Sequence, residues 1–131
     1  MVVAPELPAT TLANYCYGYM FYQCINLTIA PELQATVLKN DCYTNMFNGC
    51  TNLTTAPELP ATTLVQNCYN NMFYGCTNLN NIKVDATSWN SSQANNWVYG
   101  VSPTGDFYCP QSLQIGTGTS AIPSGWTRHD V

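Results

Sequence analysis

Cys50-Thr51-Asn52-Leu53-Thr54-Thr55-Ala56-Pro57-Glu58-Leu59-Pro60-Ala61-Thr62-Thr63-Leu64-Val65-Gln66-Asn67-Cys68-Tyr69-Asn70-Asn71-Met72-Phe73, completed by Tyr74-Gly75, is copied by the sequence on both sides of it. The copies can be aligned residue by residue with a period of 26: Cys16, Cys42 and Cys68; Cys24, Cys50 and Cys76; Met20, Met46 and Met72; Leu27, Leu53 and Leu79. A fixed period of this length implies stacked supersecondary units, each of which hides its apolar face only against its neighbours.

Composition narrows what such a stack can do. Of 131 residues, 46% are hydrophobic and only 8% charged, so Asn, Thr, Ser, Gln and Tyr must cover the surface and ion pairs cannot hold the fold together. Lys39, Lys83 and Arg128 are the only Lys and Arg residues in a chain of net charge -4, which leaves no basic footprint for a phosphate backbone and excludes nucleic acid. No apolar run of about 18 residues is present to insert into a membrane, and no signal-peptide layout opens the chain.

Within each copy Leu12, Cys16, Tyr17, Met20, Phe21 and Cys24, then their equivalents from Leu38 to Cys50 and from Leu64 to Cys76, recur at the spacing of one helix face. Pro8-Ala9-Thr10-Thr11 reads as a helix start, and Gly49 and Gly75 as left-handed helix stops, replaced by Gln23 in the first copy. Leu27 to Leu33 and Leu53 to Leu59 read as a short strand followed by a proline bend. Copying fades at Leu79. Beyond a last strand at Ile82 and Val84, Trp89 to Gly100 reads as a helix, Asp106 to Cys109 as a strand, and Ile122 to Thr127 as a turn into a final strand. All three tryptophans, Trp89, Trp97 and Trp126, fall in this part and would seal the open end of the stack.

Met46-Phe47-Asn48-Gly49-Cys50-Thr51-Asn52-Leu53 and Met72-Phe73-Tyr74-Gly75-Cys76-Thr77-Asn78-Leu79 resemble the repeat signature of the BspA-like leucine-rich repeat family, found on surfaces of anaerobic bacteria and some protist parasites. The unit here is longer than that family's usual ~23 residues but inside the general leucine-rich range. The Ile122-Pro123-Ser124-Gly125-Trp126-Thr127 ending is similar to tails of bacterial repeat proteins of this type. Repeat and resemblance together predict an α/β repeat: a short leucine-rich-repeat solenoid of three strand-bend-helix coils over residues 1–84, with a helix-and-hairpin cap over 85–131. The resemblance further implies an extracellular or cell-surface location and adhesion to a host protein or glycan.

The residues that differ between copies mark the expected binding face. Tyr15, Tyr19, Tyr22, Asn45, Asn48, Asn71 and Tyr74 lie opposite the Leu-Cys-Met stripe, and exposed Tyr and Asn supply flat amphipathic contact with adaptable hydrogen bonds. Glu6, Glu32 and Glu58 recur in every copy and predict an acidic column. Asn26, Asn52 and Asn90 fit the glycosylation pattern, but the first two sit at the repeat turn, where a side-chain amide would satisfy backbone of the adjacent coil.

Neither a cofactor, a metal nor an enzyme is predicted. The cysteine spacing matches no zinc site, six of the seven thiols fall in two core columns, and His129 has no nucleophile tied to it by spacing. The expected function is therefore a non-catalytic binding module, with a structural spacer or self-assembly unit of a larger repeat protein as the alternative. Self-association would use the uncapped N-terminal coil.

Overall fold

A computed structural model of the protein describes residues 3–131. Met1 and Val2, with which the expected repeat region begins, lie outside the described residues. Among those described there is no α-helix: the only helical element is one 3-10 turn, Ser91–Gln93. The segments expected as helices are ribbons of consecutive turns, so the strand-bend-helix solenoid and the α/β class are both corrected.

The backbone shows why. Tyr15, Tyr19 and Gln23, then Asp41, Asn45 and Gly49, then Asn67, Asn71 and Gly75 all have φ between 52° and 80°, so every fourth residue is left-handed. A left-handed residue cannot continue a right-handed helix. Between these points, alternate amides close turns inside the ribbon, as Gly18 does to Tyr15 O (3.0 Å) and Met20 to Tyr17 O (3.3 Å). The intervening amides point sideways instead. Tyr17 donates to Cys42 O (3.0 Å) and Phe21 to Met46 O (2.9 Å), and one repeat later Tyr43 donates to Cys68 O (3.1 Å) and Phe47 to Met72 O (2.9 Å). Gly49 and Gly75 are left-handed as expected of a stop, but they are the third left-handed point of a ribbon rather than the end of a helix.

Hydrogen bonds between neighbouring ribbons hold identical residues over one another. Phe21, Phe47 and Phe73 stack at 5.6 Å between ring centroids, and Tyr17, Tyr43 and Tyr69 stack at 6.1 and 6.2 Å. Both columns run into Trp97, which lies 5.8 Å from Tyr69 and 5.8 Å from Phe73. Leu27, Leu53 and Leu79 form a third, fully buried column. Beside it the turn asparagines reach back one coil, Asn52 Nδ2 donating to Ile25 O and Asn78 Nδ2 to Thr51 O, each at 2.8 Å. The Phe, Tyr and Leu columns belong to one core.

The strand side of the repeats is sparse. Each repeat contributes single parallel bridges, such as Val3 to Ile29, Leu7 to Leu33 and Thr55 to Asn81. Three strands form toward the C-terminal end: β1 (Asn81–Lys83), β2 (Asp106–Cys109) and β3 (Thr127–Asp130), all parallel in the order β1-β2-β3. The expected helix-and-hairpin cap is thus corrected on both counts. A hairpin needs antiparallel neighbours, and Trp89 to Gly100 carries only a 3-10 turn opened by an Asn90–Gln93 capping box. The tryptophans still seat the end, with indole donors to backbone at Ser120 O (2.9 Å), Ala121 O (2.9 Å) and Ser102 O (2.8 Å).

Candidate functional site

Because the ribbon turns every four residues, two residues of each turn face the core and two face outward. In the second ribbon Cys42 and Tyr43, then Met46 and Phe47, are the buried pairs, while Tyr15, Tyr19 and Tyr22 of the first ribbon lie outward. Tyr15 is 63% exposed, Tyr19 56% and Tyr22 45%, with the Tyr19 and Tyr22 rings edge to face at 5.5 Å.

The other expected site residues lie on the same face but deeper. Asn45, Asn48, Asn71 and Tyr74 are half-buried. Asn48 Nδ2 donates to Asn45 Oδ1 at 2.8 Å, so these two amides are partly spent on holding the ribbon. Tyr22, Asn48 and Tyr74 occupy one position in successive repeats, and Tyr99 takes that position in the cap. The Tyr74 and Tyr99 rings stack at 4.8 Å. Sequence reasoning missed Tyr99 because copying was taken to stop at Leu79, although Tyr99-Gly100 repeats the Tyr74-Gly75 pair.

Tyr15 and Tyr19 stand out by their conformation. Their equivalents are Asp41 and Asn67, and Asn45 and Asn71, residue types whose short polar side chains tolerate the left-handed region. A tyrosine at φ near 60° costs on the order of 1–2 kcal/mol. The first ribbon carries two such residues, together with Gln23 at φ 54°.

The acidic column is exposed at Glu6, Glu32 and Glu58, and it is not free of cations: Lys83 Nζ lies 3.9 Å from Glu58. Among the described residues no three His, Cys, Asp or Glu side chains come together in a metal-holding group.

The thiols carry no reactive arrangement in the core. Cys42, Cys50, Cys68 and Cys76 are fully buried, and burial pushes Cys42 and Cys50 up to about 12 and Cys68 to about 11. Cys50 Sγ donates to Phe21 O at 3.1 Å and Cys76 Sγ to Phe47 O at 3.0 Å, so both act as protonated donors. Cys16 is exposed and Cys24 half-buried, in contrast to the buried column expected for all three copies. His129 belongs to the sheet, stacked on Tyr108 at 4.6 Å with Nε2 2.8 Å from Asp106 Oδ1. That pairing orients the ring but brings no nucleophile to it.

No family model matches the chain, and neither a curated protein nor a solved structure matches it.

Proposed function

We propose that the protein is a non-catalytic recognition module that holds a protein or glycan against the outer face of its turn ribbons. The observation that carries this is the placement of Tyr15 and Tyr19, exposed aromatic residues kept at left-handed positions that the next two repeats fill with Asp41, Asn67, Asn45 and Asn71. The ribbon below them is pinned by an inter-repeat hydrogen bond at every second residue, so the rings stand on a rigid base and lose little freedom on binding. Tyr22, with Tyr74 and Tyr99 further along, extends the aromatic surface. The resemblance of the Met-Phe-x-Gly-Cys-x-Asn-Leu motif to BspA-like surface proteins supports a place outside the cell and a ligand on another surface.

The test is binding of the purified chain to arrays of extracellular-matrix proteins and of glycans, beside a variant carrying Tyr15→Asn, Tyr19→Asn and Tyr22→Ala. A ligand bound by the parent and lost by the variant supports the reading, and the array that yields it separates protein from glycan. A ligand bound equally by both forms sinks it.

A further inference from the structure

The hydrogen bonds between ribbons have a direction. Tyr15, Tyr17, Tyr19, Phe21 and Gln23 donate to the carbonyls of Asn40, Cys42, Thr44, Met46 and Asn48, and the same five-rung pattern runs from the second ribbon to the third. The third ribbon then donates to the cap, from Asn67 to Ser92 O (3.2 Å) through Gly75 to Tyr99 O (2.8 Å). The cap ends the series: Asn96 N bonds Ser120 Oγ (2.9 Å) and Val98 N bonds Thr119 O (3.2 Å). At the other end, the carbonyls of Asn14, Cys16, Gly18, Met20 and Tyr22 occupy the accepting positions, and no described residue donates to any of them.

Side chains tell the same story. Cys42 and Met46 are fully buried beneath the first ribbon, whereas their equivalents Cys16 and Met20 are exposed, Met20 at 46%. Tyr17 is half-buried where Tyr43 is covered on both faces by stacked rings. The first ribbon therefore presents the accepting surface that forms both ribbon-to-ribbon interfaces, with its acceptors and apolar residues uncovered among the described residues.

We infer that this edge is a docking surface for the donor side of a further repeat of the same turn-ribbon type, and not for a second folded copy of the chain. Five carbonyls in a row require amide donors at alternate residues, and a ribbon with left-handed points every fourth residue supplies that spacing. Such a repeat also brings an aromatic ring to continue the Phe21 and Tyr17 columns and small apolar residues to cover Cys16 and Met20. A second copy meets the edge with the wrong polarity. Its own first ribbon offers carbonyls against carbonyls, and its third ribbon has already given its donors to the cap.

The test extends the full chain by a copy of residues 34–59 placed between Leu7 and Pro8, with Cys42→Ser and Cys50→Ser in the added copy. The readout is the alkylation rate of Cys16, followed by mass spectrometry in native buffer. Covering of the edge predicts that Cys16 slows to the rate of buried Cys42 of the parent chain, while Cys76 stays protected as a marker of the intact stack. A Cys16 that reacts as fast as in the parent, with Cys76 still protected, overturns the inference. The parent chain gives a second measurement that holds even where the extended chain fails to fold. Sedimentation over a range of concentrations should show a monomer whose Cys16 alkylation does not change with concentration, and a dimer that protects Cys16 overturns the inference equally.

Discussion

Tyr19 and Asn45 stand one repeat apart at the same turn of the ribbon, with φ of 59° and 54°, and the Tyr19 amide donates to the carbonyl of Thr44, the residue before Asn45, at 3.0 Å. The backbone is the same in both places and only the side chain differs. Tyr19→Asn should therefore relieve the left-handed cost of about 1–2 kcal/mol in part, while losing an exposed edge-to-face contact with Tyr22 worth about 0.5 kcal/mol. The net expected change is a gain of about 0.5 kcal/mol in unfolding free energy by urea titration, together with weaker ligand binding. A loss of stability would show that the ring packs more than its exposure indicates.

Two glycines should respond to alanine very differently. Gly75 has φ of +74° but a Cβ there meets only ordinary contact with Gly49 backbone at 3.8 Å, so Gly75→Ala should cost about 1–2 kcal/mol from backbone strain alone. At Gly105 a Cβ would fall 2.6 Å from Asn80 O and 2.7 Å from the Trp126 ring. Gly105→Ala should cost about 3 kcal/mol or more, since strand β2 must shift from its place beside β1. Equal midpoints for the two variants in thermal unfolding would contradict this packing.

Alkali should unfold the protein through its core thiols. Burial holds Cys42 and Cys50 at about 12 and Cys68 at about 11, and it raises Cys76 as well. In the unfolded chain a thiol releases its proton near pH ~8.5. Between about pH 9 and 11 the unfolded state thus sheds protons that the native state keeps, so this stability is full below the window and falls through it by up to about 1.4 kcal/mol per pH unit for each thiol. Circular-dichroism melts should show a steep drop in midpoint across that range, and Cys50→Ala should flatten it. A midpoint that does not move between these pH values would show that the thiols are not desolvated.

Trp97 closes the stack against Tyr69 and Phe73 and donates its indole N–H to Ala121 O at 2.9 Å. Trp97→Ala should cost about 3–5 kcal/mol, the range for a buried aromatic lost to a cavity, and expose Phe73 to solvent. Urea unfolding checks the magnitude. Slow alkylation of Cys76 becoming fast in the variant would show that the damage spreads into the third ribbon.

The period was legible without coordinates. The repeat of 26 residues marked by the cysteines, methionines and leucines reappears as stacked Phe21, Phe47 and Phe73 and stacked Tyr17, Tyr43 and Tyr69 rings, because inter-repeat amides bond at an offset of 25 and hold that register. The exposed tyrosines could also be picked out, since Tyr15 and Tyr19 stand where both later copies have Asp or Asn, and Tyr22 shares its position with Asn48 and Tyr74. What misled was the spacing of the core residues. Leu12, Cys16, Met20 and Cys24 are spaced by four, and over those three steps an α-helix would carry its apolar stripe about 120° round the axis. A ribbon that turns every four residues keeps them on one side. The signal for it was present in Asp41, Asn45 and Gly49 and in Asn67, Asn71 and Gly75, left-handed-tolerant residues at intervals of four.

Sequence alone determined that repeats of 26 residues share one core and that Cys, Met, Leu, Phe and Tyr form its columns, since no single unit of this size can bury them. Tertiary structure decided between helix and ribbon. A backbone amide has one strong bond to give, and here alternate amides give it to the neighbouring repeat rather than to the residue four places back, a choice that exists only once the repeats lie side by side. The same sideways bonds set the direction of the stack, leaving acceptors uncovered at the first ribbon and donors spent at the cap.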